Sequence, residues 1–166
     1  LTLARLDPLA REQLAREPVA LPPLFERVVA QHAPQAAQRG IALVHSSELA
    51  TVAADPQLLE IVLRNLVDNA LRYSPDGSRI EIAAQHVAGR DRIVVRDDGP
   101  GVDAASRARL TERFFRVLGQ GQAGSGLGLS IVKRIADLHG IDLSFGAGIG
   151  GRGLGVTLDF PAPGES

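Results

Sequence analysis

Apolar residues recur at helical spacing in several stretches of this chain and alternate at the strand period in others. Leu3, Leu6, Leu9, Ala10 and Leu14 can share one helical face. A stretch that short cannot bury its stripe alone, so residues 1–15 read as the end of a helix belonging to a neighbouring unit. Glu17-Pro18-Val19 and Leu21-Pro22-Pro23 interrupt the pattern, and residues 16–21 read as a linker. Residues 23–39 predict an amphipathic helix with Leu24, Val28, Val29 and Ala33 inward and Gly40 as its stop. Residues 41–45 and 51–54 read as short strands. Asp55-Pro56 opens a helix, with Asp at the N-cap and Pro at the first helical position. That helix runs to about Tyr73 and ends at Ser74-Pro75-Asp76-Gly77.

Residues 80–87 and 93–96 alternate apolar and polar and predict a hairpin bridged by 88–91. Residues 98–125 are rich in Gly, Gln, Ser and Arg, show little periodicity, and read as a long mobile loop. Residues 126–139 are helical, with His139-Gly140 as the C-terminal signal. Residues 141–145 and 155–160 form a last hairpin around a glycine-rich turn. The sum is an α+β domain over residues 22–162. It has two layers, a mixed and mostly antiparallel sheet with helices on one face, followed by a tail at 163–166.

Composition narrows the chemistry. The chain has 166 residues, 45% of them hydrophobic, enough for one domain with a real core. A net charge of −1, with the charges interspersed, offers no nucleic-acid footprint. The absence of Cys excludes disulfide scaffolds, zinc ribbons and thiol catalysis. Lys133 is the sole lysine and no Gly-Lys pair occurs, so a Walker A phosphate loop is excluded. No apolar run approaches the roughly 18 residues of a spanning helix. The charged N-terminus, which lacks an initiating Met, reads as part of a longer protein rather than as a signal peptide.

The helix at 56–73 is apolar over most of its circumference and should be buried. Yet Asn65, Asn69 and Arg72 stand at i, i+4 and i+7 on one stripe, with Asp68 beside it. Polar groups in a dry interior are costly unless each finds a partner. One Asn alone is accounted for by nearby backbone. Two amides and an Arg in line, followed by Tyr73, favour a polar ligand. An amide oxygen suits magnesium, which keeps waters and binds substrate phosphates. An Arg one turn on can pair with those phosphates, and an aromatic at the helix end can border a base.

Asp97-Asp98-Gly99-Pro100-Gly101 follows a strand. Asp-Gly alone reads as a turn, but Asp97 at the strand end can aim a carboxylate inward. An ionised carboxylate only accepts hydrogen bonds and matches the adenine amino group, a pure donor. Gly99 and Gly101 let backbone approach a ring closely. Gly124-Ser125-Gly126-Leu127-Gly128-Leu129 precedes a helix, where free N–H groups bind anions. The G-x-G-x-x-G at Gly119, Gly121 and Gly124 lies inside a loop rather than after a βαβ strand and counts as chance. Arg113 and Arg116 flank Phe114-Phe115, which suit a hydrophobic latch on a movable lid.

Together these segments resemble the GHKL ATPase superfamily and, within it, the ATP-binding catalytic domains of bacterial membrane sensor histidine kinases. Residues 65–73 (NLVDNALRY) resemble the N box. The resemblance implies that Asn69 holds magnesium, that Arg72 meets the phosphates and that Tyr73 lies near the nucleotide. Asp97-x-Gly99-x-Gly101 resembles the G1 box, with Asp97 on adenine N6, and Glu112-Arg113-Phe114-Phe115-Arg116 resembles the F box. Gly124-x-Gly126-Leu127-Gly128-Leu129 resembles the G2 box, which closes over the phosphates. The resemblance implies the Bergerat fold with a mobile ATP lid, ATP and Mg2+ as ligands, and phosphoryl transfer to a His and then to a response regulator. It implies catalytic roles for Asn65, Asn69, Arg72 and Arg116, and cofactor contacts that include Phe115. It also implies that residues 1–15 end a dimerisation and phosphoacceptor helix, and that the intact protein is a homodimer anchored on the cytoplasmic face of the inner membrane.

Asn65 separates subclasses, because hydrolysing members carry a Glu there that activates water, and an amide cannot act as general base. Three departures stand out. Asp98 occupies the place of the usual Asn and reads as extra charge that is merely exposed. Gly140-Ile141 replaces a Gly pair, and Gly153-Leu154-Gly155-Val156 lacks the common Gly-Thr. The four histidines precede Ala33, Ser46, Val87 and Gly140, so none matches the acceptor pattern of His followed by an acidic residue. His32 and His45 are expected on a helix surface and a strand end, His86 in a strand. His139 is expected as a cation at a helix C-terminus. A serine kinase of the anti-sigma type and an ATP-sensing module without transfer share the fold and are the alternatives.

Overall fold

In the computed structural model, residues 14–98, 125–151 and 153–162 are described. The expectations for residues 1–13, for the Gly99–Gly124 part of the loop and for the tail lie outside them. The elements run β1 (Glu17–Ala20), α1 (Leu21–Gln38), β2 (Ala42–Ser47), β3 (Thr51–Ala54), α2 (Pro56–Tyr73), β4 (Arg79–Val87) and β5 (Arg90–Asp97). After the undescribed segment come α3 (Ser125–His139), β6 (Asp142–Ala147) and β7 (Leu154–Asp159).

Alternation along β4 and β5 builds the sheet. Ile80, Ile82 and Ala84 face inward, paired with Asp97, Val95 and Ile93. Glu81, Arg92 and Arg96 face the other way. There Arg96 Nε meets Glu81 at 2.8 Å, and Arg92 grips both oxygens of Asp159 at 2.7 and 3.2 Å. The hydrogen bond to Asp159 raises the Arg92 guanidinium above its ordinary value. The hairpin turns on Ala88 and Gly89, at φ 53° and 81°. Positive φ at both residues matches the strand twist, and only glycine takes it without strain. The five-stranded sheet has the order β2-β4-β5-β7-β6, with β2 parallel to β4 and the other pairs antiparallel.

Helix α2 forms the spine of the helical layer. Leu58, Leu59, Val62, Leu63, Leu66, Val67 and Leu71 are buried in it, and each fully buried Leu contributes about 1.5–3 kcal/mol. Its start follows the cap chemistry read from sequence: the Asp55 carboxylate accepts the N–H groups of Gln57 and Leu58 at 3.1 and 3.2 Å. The result is the mixed, mostly antiparallel sheet with a helical layer that the periodicity predicts.

Four local expectations are corrected. Residues 17–20 are a strand rather than linker: β1 pairs antiparallel with β3 in a separate two-stranded sheet and buries Val19. Pro18 is tolerated because so small a sheet leaves its ladder positions at an edge. Helix α1 begins at Leu21, with prolines in its first turn, where an N–H has no intrahelical partner. Ala33 is exposed, while His32 and Ala36 are buried. Finally, strand β5 starts at Arg90, so the hairpin is tighter than expected.

Candidate functional site

The stripe on α2 resolves into unlike parts. Asn65 is half-buried and donates Nδ2 to its own helix, at the Ile61 carbonyl, 2.9 Å away. Asn69, one turn on, is also half-buried, and its side chain has no hydrogen-bond partner among the described residues. Arg72 is exposed. Tyr73 keeps 42% of its surface exposed, the one large hydrophobic residue described as exposed. A helix that buries most of its circumference thus ends in an amide, a guanidinium and a ring turned away from the core.

Two further segments meet that end. The chain leaves α2 at Tyr73, turns, and enters β4 at Arg79, and Ile80 pairs with Asp97. Asp97 therefore lies beside the exit of α2. It is 8% exposed, and its Oδ1 accepts the Leu154 N–H at 3.4 Å. This is the inward-aimed carboxylate that its place at a strand end predicts. The expectation that Asp98 is merely exposed is corrected: Asp98 is half-buried, and its Oδ1 accepts the Arg79 N–H at 2.7 Å while its own N–H reaches the Arg79 carbonyl at 3.1 Å. Its charge closes the last rung of the β4–β5 ladder.

Helix α3 arrives antiparallel to α2. His139 near its C-terminus receives the Asp55 N–H at the N-terminus of α2, at 3.1 Å. The N-terminus of α3 therefore points toward the end of α2 that carries Asn69, Arg72 and Tyr73. Gly126, Leu127, Gly128 and Leu129 lie within α3, which starts at Ser125, and backbone N–H groups in a first turn lack intrahelical partners. The structure thus gathers Asn69, Arg72, Tyr73, Asp97 and the start of α3 at one end of the helical layer. Gly99, Gly101, Phe115, Arg116 and Gly124 lie outside the described residues.

Two histidines depart from expectation. His32 is 6% exposed rather than on the surface. Its Nδ1 faces the Val28 carbonyl at 2.8 Å and its Nε2 faces Asp68 Oδ1 at 3.0 Å, so both ring nitrogens meet acceptors. His139 is 3% exposed; its Nδ1 faces the Ile135 carbonyl at 2.9 Å, and its Nε2 accepts the Asp55 N–H. An imidazolium cannot accept there, so this geometry fixes His139 as a neutral ring and not as a cation on the helix end.

Sequence reasoning missed Arg39. It is the C-cap of α1, and its guanidinium reaches across to α2. Nη1 donates to the Leu71 carbonyl, Nη2 to the Ser74 carbonyl and Nε to Asp76 Oδ1 at 2.8 Å. The Gly77 N–H returns to the Arg39 carbonyl at 3.0 Å. A basic residue just before a stop glycine was the available signal, but its partners lie more than 30 residues on.

Residues 54–164 match the profile of the family described as histidine kinase-, DNA gyrase B-, and HSP90-like ATPase. Sensor protein QseC of Escherichia coli K12 is 43% identical over 148 residues, 88% of this chain and 32% of that protein. Sensor protein kinase PmrB of Pseudomonas aeruginosa is 41% identical over 164 residues, 97% of this chain and 34% of that protein. Among solved structures, full-length ShkA in complex with AMPPNP superposes with a TM-score of 0.76 at 31% identity, covering 96% of this chain and 34% of that one. The chain spans about a third of the length of the curated relatives it matches.

Proposed function

This chain belongs to the family of histidine kinase-, DNA gyrase B- and HSP90-like ATPases, as the ATP-binding catalytic domain of a sensor histidine kinase, and on that footing we propose that it holds MgATP at the shared end of α2 and α3 and, within the intact protein, passes the γ-phosphoryl group to a histidine. The observation that carries this reading is Asn69. Its half-buried amide makes no hydrogen bond to another described residue, so its oxygen is open to a ligand. Among the described residues no group of His, Cys, Asp and Glu could enclose a metal ion. A single hard amide oxygen suits magnesium, which takes its other ligands from phosphates and water.

Each residue has a distinct part. Asn69 Oδ1 would hold the ion, whose chemistry is to neutralise phosphate charge. Arg72 pairs with phosphate oxygens, with Arg116 as a second cation from the lid. The α3 N-terminus, with Gly124, Gly126 and Gly128, supplies backbone N–H groups. Asp97 accepts from the adenine amino group, with Gly99 and Gly101 close to the ring and Tyr73 and Phe115 at its border. In the transfer, the bond from γ-phosphorus to the β–γ bridging oxygen breaks as the unprotonated imidazole nitrogen bonds to phosphorus, and ADP leaves. Catalysis is mostly positioning and charge neutralisation. Asn65 cannot activate water, which directs the phosphoryl group to a partner rather than to hydrolysis.

The partners are the phosphoacceptor domain of the same protein, for which residues 1–15 would be the exit helix, and a response regulator. The intact protein would be a homodimer anchored on the cytoplasmic face of the inner membrane; among the described residues no helix is long and apolar enough to cross one. The test is incubation with labelled ATP, with and without the acceptor helices. Label should appear on the acceptor and require Asn69, and Asn69→Ala should abolish magnesium-dependent ATP binding by calorimetry. Robust labelling of this chain alone, or unaltered binding by Asn69→Ala, would sink the reading.

A further inference from the structure

We infer that Arg39 is a positioning residue for the nucleotide site, holding the last turn of α2 so that Arg72 and Tyr73 face the ligand; this rests on the reading of that end as the ATP site. The last carbonyls of any helix lack intrahelical partners, and they carry the negative end of its dipole. Here that end also has to present the functional side chains. Arg39 answers both needs from a different helix. Its fork spans the carbonyls of Leu71 and Ser74, which bracket Arg72 and Tyr73 in sequence, and its Nε anchors on Asp76 at 2.8 Å. The Gly77 N–H closes the loop onto the Arg39 carbonyl at 3.0 Å, and Gly40, at φ 64°, lets the chain turn away immediately after.

Arg72 is exposed, so packing does not fix it, and its direction follows the backbone of the turn that Arg39 grips. Lysine keeps the charge but offers one ammonium, which cannot span two carbonyls and a carboxylate as a planar fork does. Asp76, whose side chain is 77% exposed, anchors only the outer edge.

Tyr73 supplies a direct readout, because the chain has one Tyr and no Trp. Its fluorescence anisotropy and acrylamide quenching report on the last turn in the absence of nucleotide. Arg39→Ala is expected to lower the anisotropy, increase quenching and raise the ATP dissociation constant roughly tenfold, as when the competent state is populated about one time in ten. Arg39→Lys should fall between Ala and the unmutated chain, and it carries the same test if Arg39→Ala fails to fold. Arg92→Ala, which loses the pair with Asp159 on the outer face of the sheet, is the control for stability loss and should leave both readouts unchanged. A Tyr73 signal unmoved by either Arg39 substitution would overturn the clamp. A moved signal with unchanged ATP affinity would overturn the positioning role. Failure of the unmutated chain to bind ATP would overturn the nucleotide reading itself, and the Tyr73 signal would still show whether Arg39 holds the turn.

Discussion

The Nε2 of His139 accepts the backbone N–H of Asp55 at 3.1 Å, joining the end of α3 to the start of α2 inside the protein. Asp55 also caps α2 through its carboxylate and receives the Ala15 N–H on Oδ2 at 3.4 Å. One residue pair therefore sets the relative height of the two helices whose opposite ends form the candidate site.

His139→Ala removes the acceptor of a buried N–H and should lower unfolding free energy by about 1–3 kcal/mol. Urea denaturation followed by circular dichroism measures this as a lower midpoint at constant slope. An unchanged midpoint would show that the joint contributes nothing.

The His32–Asp68 pair couples α1 to α2 directly beside Asn69, at 3.0 Å. The Asp68 side chain is 52% exposed, so the pair should be modest, about 0.5–1 kcal/mol in a double-mutant cycle with His32→Ala and Asp68→Ala. Additive single effects would mean that the contact carries no coupling energy.

Asp97→Asn keeps an oxygen for the Leu154 N–H but replaces a pure acceptor with a mixed amide. ATP affinity should fall about tenfold or more, the loss of a hydrogen bond to a charged group, with little change in stability. The preference for ATP over GTP should shrink in the same titrations. Equal affinities for ATP in both proteins would remove Asp97 from adenine recognition.

Much of the fold was legible because its signals are local. The Asp55-Pro56 start of α2 depends on N–H groups two and three residues away, and the alternation in β4 and β5 needs only neighbouring side chains. The stripe of Asn65, Asn69 and Arg72 follows from helical spacing. It points to the C-terminal half of α2, where Asn69, Arg72 and Tyr73 lie, although Asn65 bonds to its own backbone. What the sequence by itself determined is therefore the identity and order of most elements and the chemical type of the site residues, since each is set by interactions within a turn or a strand.

Tertiary structure decided the remainder. Prolines at 18, 22 and 23 looked like linker, but the pairing of β1 with β3 depends on a partner more than 30 residues away. His32 was misplaced and the role of His139, correctly set at a helix C-terminus, was misread for the same reason: their ring nitrogens meet Asp68 and Asp55, 36 and 84 residues distant. Arg39 became visible as a clamp only once α1 and α2 lay side by side. A hydrogen bond's worth depends on which group faces the donor after the chain has closed on itself, and periodicity carries no record of that.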